Sequence, residues 1–91
     1  MNKSKNDERY FRTQNFFASA FLFAKGYELV NIDKTLDPKK ADFVFKNSPE
    51  LEIDLHIYNF APENSKELLI NARTLFSAIK QLKSALYQDT F

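Results

Sequence analysis

Cysteine is absent from this chain, and glycine occurs once among its 91 residues. Without cysteine there are neither disulfide staples nor thiolate metal ligands. One glycine excludes a glycine-rich phosphate loop, which needs several in close succession. Histidine also occurs once, at His56, and no neighbour in the sequence makes it a base or a ligand. No apolar run approaches the roughly 20 residues that cross a bilayer; the longest spans residues 16–24. A basic excess is nearly missing too. Thirteen Lys and Arg against twelve Asp and Glu leave a formal charge of +1, less than a dedicated nucleic-acid binder usually carries. That balance lowers the expectation of such a partner without removing it, because charge can separate by face. The start, Met1 to Glu8, mixes Lys3 and Lys5 with Asp7 and Glu8 and does not lead into a cleavable apolar segment. No secretory signal is read, and a cytoplasmic chain is expected.

What is present is phenylalanine. Ten of the residues are Phe, within a composition that is 44% hydrophobic and 27% charged. Phe packs without needing a hydrogen-bond partner, which suits a small single-core domain. Residues 1–8 carry no apolar period and read as a disordered tail, leaving 9–91 as one α+β domain. Arg9 to Arg12 is a strand candidate. Thr13 or Asn15 then caps a helix that is apolar nearly all round and reaches about Lys25. Gly26 fits a left-handed cap at its end.

Tyr27 to Ile32 and Ala41 to Lys46 read as strands, the second with Ala41, Phe43 and Phe45 on one face. The polar segment Asp33 to Lys40, with its Asp37-Pro38, joins them as a loop. Two signals compete next. Asn47-Ser48-Pro49-Glu50 is a helix start, whereas Leu51, Ile53, Leu55 and Ile57 alternate as in a strand. Leu51, Leu55 and Tyr58 share a helical face, so the helix is preferred. After the loop Ala61 to Ser65, the spacing of Leu68, Ala72, Leu75, Ile79, Leu82 and Leu86 predicts a helix. It starts either at an Asn64–Glu67 capping pair, or at Asn71 after a short strand at 68–70. With that fourth strand, the order becomes the βαββαβ of ferredoxin-like folds.

Catalysis finds little support. Asp37-Pro38-Lys39 has the acid-x-Lys form of some nucleases but lacks a flanking strand and a paired acid. Glu50, Glu52 and Asp54 are spaced as on any solvated face. Neither a catalytic residue, a metal site nor a cofactor is expected, and the chain reads as a non-enzyme. Nucleic-acid binding has more behind it. Arg73 and Lys80 lie seven residues apart, on nearly one line of a helix, with Ser77 and Ser84 within about 40° of it. Lys83 projects nearer the apolar seam and snorkels outward. Arg12, Lys39, Lys40 and Lys46 extend this surface if they share a side. Phe43 and Phe45 invite comparison with an RNA-recognition strand, but the glycine and first aromatic of that signature are missing, so they read as core.

Protein binding is the other class. Phe16, Phe17, Phe21 and Phe23 surround one short helix, and any that the core leaves uncovered would mark a partner surface. The seam Leu75, Ile79, Leu82, Leu86 serves either the core or a homodimer.

Several stretches together resemble a family of small bacterial and phage-associated proteins classed as a domain of unknown function. They are Thr13 through Gly26, Asp42-Phe43-Val44-Phe45, Ser48-Pro49-Glu50-Leu51, Ile70-Asn71-Ala72-Arg73, and Leu82-Lys83 with Leu86-Tyr87, covering roughly residues 9–88. The resemblance implies a helix after Ser48-Pro49, a cap at Asn71 and the short strand at 68–70. It carries over no catalytic residue. An association with mobile elements would raise both nucleic acid and a defence-related protein as partners. The segment Phe60 to Lys66 is longer here than in the family pattern.

The expectation is thus an α+β domain with a mainly antiparallel sheet of three or four strands and its helices on one face. Its expected role is that of a small accessory protein contacting phosphates through Arg12, Lys39, Lys40, Arg73, Lys80 and Lys83. The alternative is a protein-binding adaptor or inhibitor that uses exposed aromatic surface. No membrane partner is expected.

Overall fold

The computed structural model of the protein describes residues 8–34 and 40–87. Along the chain it forms β1 (Tyr10–Thr13), α1 (Phe16–Ala24), β2 (Leu29–Asp33), β3 (Asp42–Lys46), α2 (Pro49–Phe60), a 3-10 turn (Lys66–Leu68) and α3 (Ala72–Tyr87). The strands make one antiparallel sheet in the order β1-β3-β2. The α+β reading holds, with three strands. Of the sequence-based expectations, the disordered tail lies outside the described residues except at Glu8. Most of the Asp33–Lys40 loop lies outside them too.

Each helix begins where a side chain satisfies a free backbone N–H. Asn15 Oδ1 accepts from Ala18 N at 3.0 Å to open α1, while Thr13 Oγ1 accepts from Asn15 N at 3.1 Å. Both candidate caps are therefore used, one holding the other. Ser48 Oγ accepts from Leu51 N at 3.0 Å, with Pro49 as the first residue of α2. Asn71 Oδ1 accepts from Thr74 N at 3.0 Å to open α3. Asn47 adds a tie between distant parts of the chain, donating from Nδ2 to Glu8 O and to Glu52 Oε2.

The alternation across 51–57 is resolved by burial. Leu51 is wholly buried and Leu55 and Tyr58 pack on the core, whereas Ile53 is 60% exposed. The 3.6-residue face wins over the two-residue period because the capped start commits the backbone to a helix.

At the end of α1, Gly26 adopts φ +102°. Gly26 N donates to Phe23 O and Tyr27 N to Leu22 O, which closes the last turn in the manner of a glycine-capped helix. Because Tyr27 N is spent on that cap, the following strand starts at Leu29 rather than at Tyr27 as the sequence pattern suggests. A Cβ at position 26 would meet no atom within 4 Å, so the cost of a side chain there is backbone strain alone. Gly26→Ala is expected to destabilise by about 1–2 kcal/mol, a fall in Tm of roughly 5–15 °C in thermal melts. Gly26→Asn should lose less, since Asn tolerates positive φ.

The expected strand at 68–70 is replaced by the 3-10 turn, in which Leu69 N donates to Lys66 O at 3.0 Å. This turn packs against α2, away from the sheet. A strand needs a sheet edge to satisfy its backbone, and none is within reach there. The ferredoxin-like order is not completed.

One face of the sheet carries the core. Phe43 and Phe45 of β3, Leu29 and Ile32 of β2, and Leu22 of α1 are all buried there with Leu51 of α2 and Leu82 and Leu86 of α3. The seam of α3 is thus occupied inside the molecule, against α1. The edge-to-face pair Phe16–Phe43, at 5.9 Å, and the tilted pair Phe21–Tyr58, at 5.1 Å, join helices to the sheet and to each other.

Tyr27, in the link between α1 and β2, ties that link to α2 by donating from Oη to Asp54 Oδ2. Burial first, then this bond and the charges of Asp54 and Glu50, push the Tyr27 phenol up to about 12. The folded chain holds that proton more tightly than the unfolded one, in which a tyrosine titrates near 10. The resulting stabilisation is whole below about pH 10 and is lost as pH rises through about 12. Melts across that interval should show a fall that Tyr27→Phe largely removes.

Candidate nucleic-acid interface

Of the six cations singled out by the sequence, the five that are described fall into three groups. Arg12 stands on the sheet face opposite the helices, since its neighbour Phe11 packs on the core and side chains alternate along a strand. Its Nη2 bonds Asp33 Oδ2 and, at 3.1 Å, Asp42 Oδ2, so that it spans all three strands. Asp33 and Asp42 are direct register partners, and like charges opposite each other destabilise a sheet. Arg12 offsets that repulsion. The two carboxylates in turn raise its pKa further, chiefly through the Asp33 hydrogen bond. With two acids around one guanidinium, this corner does not attract phosphate. Lys39 lies outside the described residues.

Arg73, Lys80 and Lys83 form the second group, all exposed on α3. At about 100° per residue, Arg73, Phe76, Lys80, Lys83 and Tyr87 fall within roughly 80° of one another around the helix axis. The buried residues Ala78, Leu82, Ala85 and Leu86 occupy the other side. None of the three cations makes an ion pair among the described residues. α3 contains no acidic residue from Ala72 to Tyr87. Arg73 sits in its first turn, where the helix dipole disfavours a cation. By contrast α2 carries Glu50, Glu52 and Asp54 and no Lys or Arg. The near-zero net charge therefore conceals an acidic helix and a basic one, the separation by face that composition leaves open.

Lys40 is the third group. It is exposed and immediately precedes Ala41, which shares a cleft of about 240 Å³ with Phe16, Phe43, Lys83, Leu86 and Tyr87. The chain thus passes near the Lys83 end of α3 one residue after Lys40. On the other flank, Arg73, Thr74, Ser77 and Gln81 line a shallow depression of about 320 Å³ with Phe23. Gln81 Nε2 donates to Ser77 Oγ at 3.1 Å, which holds two of its polar groups together.

Two features of this face went unread in the sequence. Phe76, between Arg73 and Lys80, is 67% exposed, and Tyr87, one turn beyond Lys83, is 66% exposed. Helical arithmetic from Arg73 and Lys80 would have placed both rings on the ridge.

Elsewhere, an apolar groove of about 670 Å³ runs between α1, the end of α2 and the start of α3, lined by Phe17, Tyr58, Leu68, Ile70, Leu75 and Ile79. Phe17 is 62% exposed beside it, so the Phe-rich helix is not covered all round. On α2, His56 stacks on Phe60 at 4.9 Å between ring centres, and Phe60 is 73% exposed. Among the described residues no cluster of His, Asp and Glu is placed to hold a metal ion, and no helix is long and apolar enough to cross a membrane.

No curated protein and no solved structure matches the chain. A family model does, over residues 8–88, under the description domain of unknown function (DUF5659). That span takes in every strand and helix and the whole basic ridge, and the protein belongs to this family.

Proposed function

We propose that the protein is a small non-enzymatic accessory protein, of bacterial or phage origin and cytoplasmic, that binds nucleic acid through the outer face of α3. The observation that carries this reading is the ridge itself: three exposed cations, Arg73, Lys80 and Lys83, on a helix without a single acid. Unpaired cations aligned along a helix suit the phosphate backbone, where each contact releases a condensed counterion. A charged outer face made only for solubility would ordinarily mix signs. Lys40, exposed and next in sequence to Ala41 of the cleft that Lys83 lines, is read as a further phosphate contact. Arg12 is not assigned to it, being held by Asp33 and Asp42.

Fluorescence-anisotropy titration against random-sequence DNA and RNA, single-stranded and duplex, at low and physiological salt, tests this directly. Binding whose affinity falls log-linearly with salt supports the phosphate reading. No binding at low salt overturns it.

The exposed Ile53 and Phe60 of α2 and the groove beside Phe17 favour a second reading, a protein-binding adaptor or inhibitor. Such binding would tolerate salt and would be weakened by Phe60→Ala or Phe17→Ala rather than by changes on α3.

A further inference from the structure

The ridge of α3 holds more than charge. Resting on the nucleic-acid reading, we infer that its ligand class is a single strand, with unpaired bases stacked on Phe76 and Tyr87 while Arg73, Lys80 and Lys83 follow the phosphates. Two observations converge on this class.

Both rings are about two-thirds exposed, and they stand among the cations. Phe76 lies between Arg73 and Lys80, and Tyr87 beyond Lys83. Eleven residues separate the rings, about 16 Å along the helix at 1.5 Å per residue. This is the pattern of a single-strand platform, in which aromatic faces take bases and interleaved cations take the backbone. In a duplex the base faces are stacked on one another and closed to side chains. An exposed phenyl ring would then meet only phosphates, sugars and base edges, and would desolvate polar groups without pairing them.

The second observation is the cleft under Tyr87. Its volume of about 240 Å³ is lined by Gln14, Phe16, Phe43, Lys83, Leu86 and Tyr87. That is below the roughly 300–1,000 Å³ of pockets for drug-sized ligands, and suits one flat ring entering beside Tyr87. Gln14 supplies an amide with both donors and an acceptor for a base edge, and Lys83 a cation for the adjoining phosphate.

Stacking on a ring is open to any base, since each has a π face, so the strand is bound without strong preference for base identity.

The test uses the full chain and two fluorescein-labelled probes of mixed sequence, a DNA single strand of about 12 nucleotides, within the range of site sizes for such platforms, and the matching duplex. The double variant Phe76→Ala/Tyr87→Ala should lower affinity for the single strand by about tenfold or more. Its salt dependence and its affinity for the duplex should not change. Tyr87→Phe, which keeps the ring, should bind like the parent, and Phe76→Leu, which keeps apolar surface without a π face, should not. Circular dichroism should be unaltered, since both rings are exposed. Equal losses on both probes, or a parent that prefers the duplex, would overturn the single-strand inference and leave phosphate binding standing. Failure of the parent to bind either probe, or the same sequences made as RNA, at low salt would overturn both.

Discussion

The variant Arg73→Glu/Lys80→Glu is expected to lose nucleic-acid binding altogether at physiological salt. The argument is one of charge count. The parent face presents three cations and no acid, and three phosphate contacts on a single strand give a log–log salt slope of about −2. A fourfold rise in salt then weakens the parent roughly 15- to 20-fold. Reversing two of the three charges removes two contacts and places two carboxylates against the backbone, leaving Lys83 alone to attract it. All three side chains are exposed, so the fold should survive, and melts of the variant provide that check. Glutamate at position 73 would even suit the first turn of α3, where the dipole favours an acid. Arg12→Ala makes the internal comparison: it should leave affinity unchanged while lowering stability modestly, because it unpairs Asp33 and Asp42. A double reversal that binds as tightly as the parent would remove α3 from consideration as the site.

Phe45→Ala should have the largest effect on the fold. Phe45 is fully buried, in the central strand, with Phe11 and Leu29 as its register partners on either side. Truncating a buried Phe costs about 3–5 kcal/mol, part in lost transfer free energy and part in the cavity left behind. A domain of this size has roughly 5–13 kcal/mol of total stability. At about 4–8 °C per kcal/mol, the variant should melt well over 10 °C lower than the parent. Urea denaturation followed by circular dichroism measures it. Phe17→Ala, by contrast, removes a ring that is mostly in water and should change stability little, although it lies in the same apolar run.

What could be read in the sequence was local chemistry. Gly26, Asn15, Ser48 and Asn71 each act within four residues of themselves, so their roles follow from side-chain type and position. The α3 seam was legible for the same reason, as a period repeated along one element. Leu68-Leu69-Ile70 misled because a strand is defined by its partner, and no sheet edge lies where these three residues fall. Arg12 was similarly opaque. Its carboxylate partners come from two other strands, and nothing within its own segment announces them. The exposure of Phe76 and Tyr87 follows from the side of α3 that packs against α1, a tertiary contact with no signal in their own segment. The grouping of Arg73, Lys80 and Lys83 needed only helix geometry. Whether Lys40 would join them depended on how β3 is placed against α3.

The strand order has a bearing on how the chain assembles during synthesis. β3 lies between β1 and β2 yet follows both in sequence. A nascent chain that has emerged only as far as Asp33 holds two future strands that are not neighbours. Its capped α1 has no completed surface to rest on. Pairing those strands directly, in parallel, would fill the gap that β3 must enter. Sheet formation therefore waits for Asp42–Lys46 and then proceeds on both sides at once, so the two halves of the sheet gain stability together. Substitutions in β3 should therefore slow folding more than substitutions in β1 or β2, which φ-values measure. Residues 8–34 on their own should stay unpaired, a short helix attached to strands that have nothing to join.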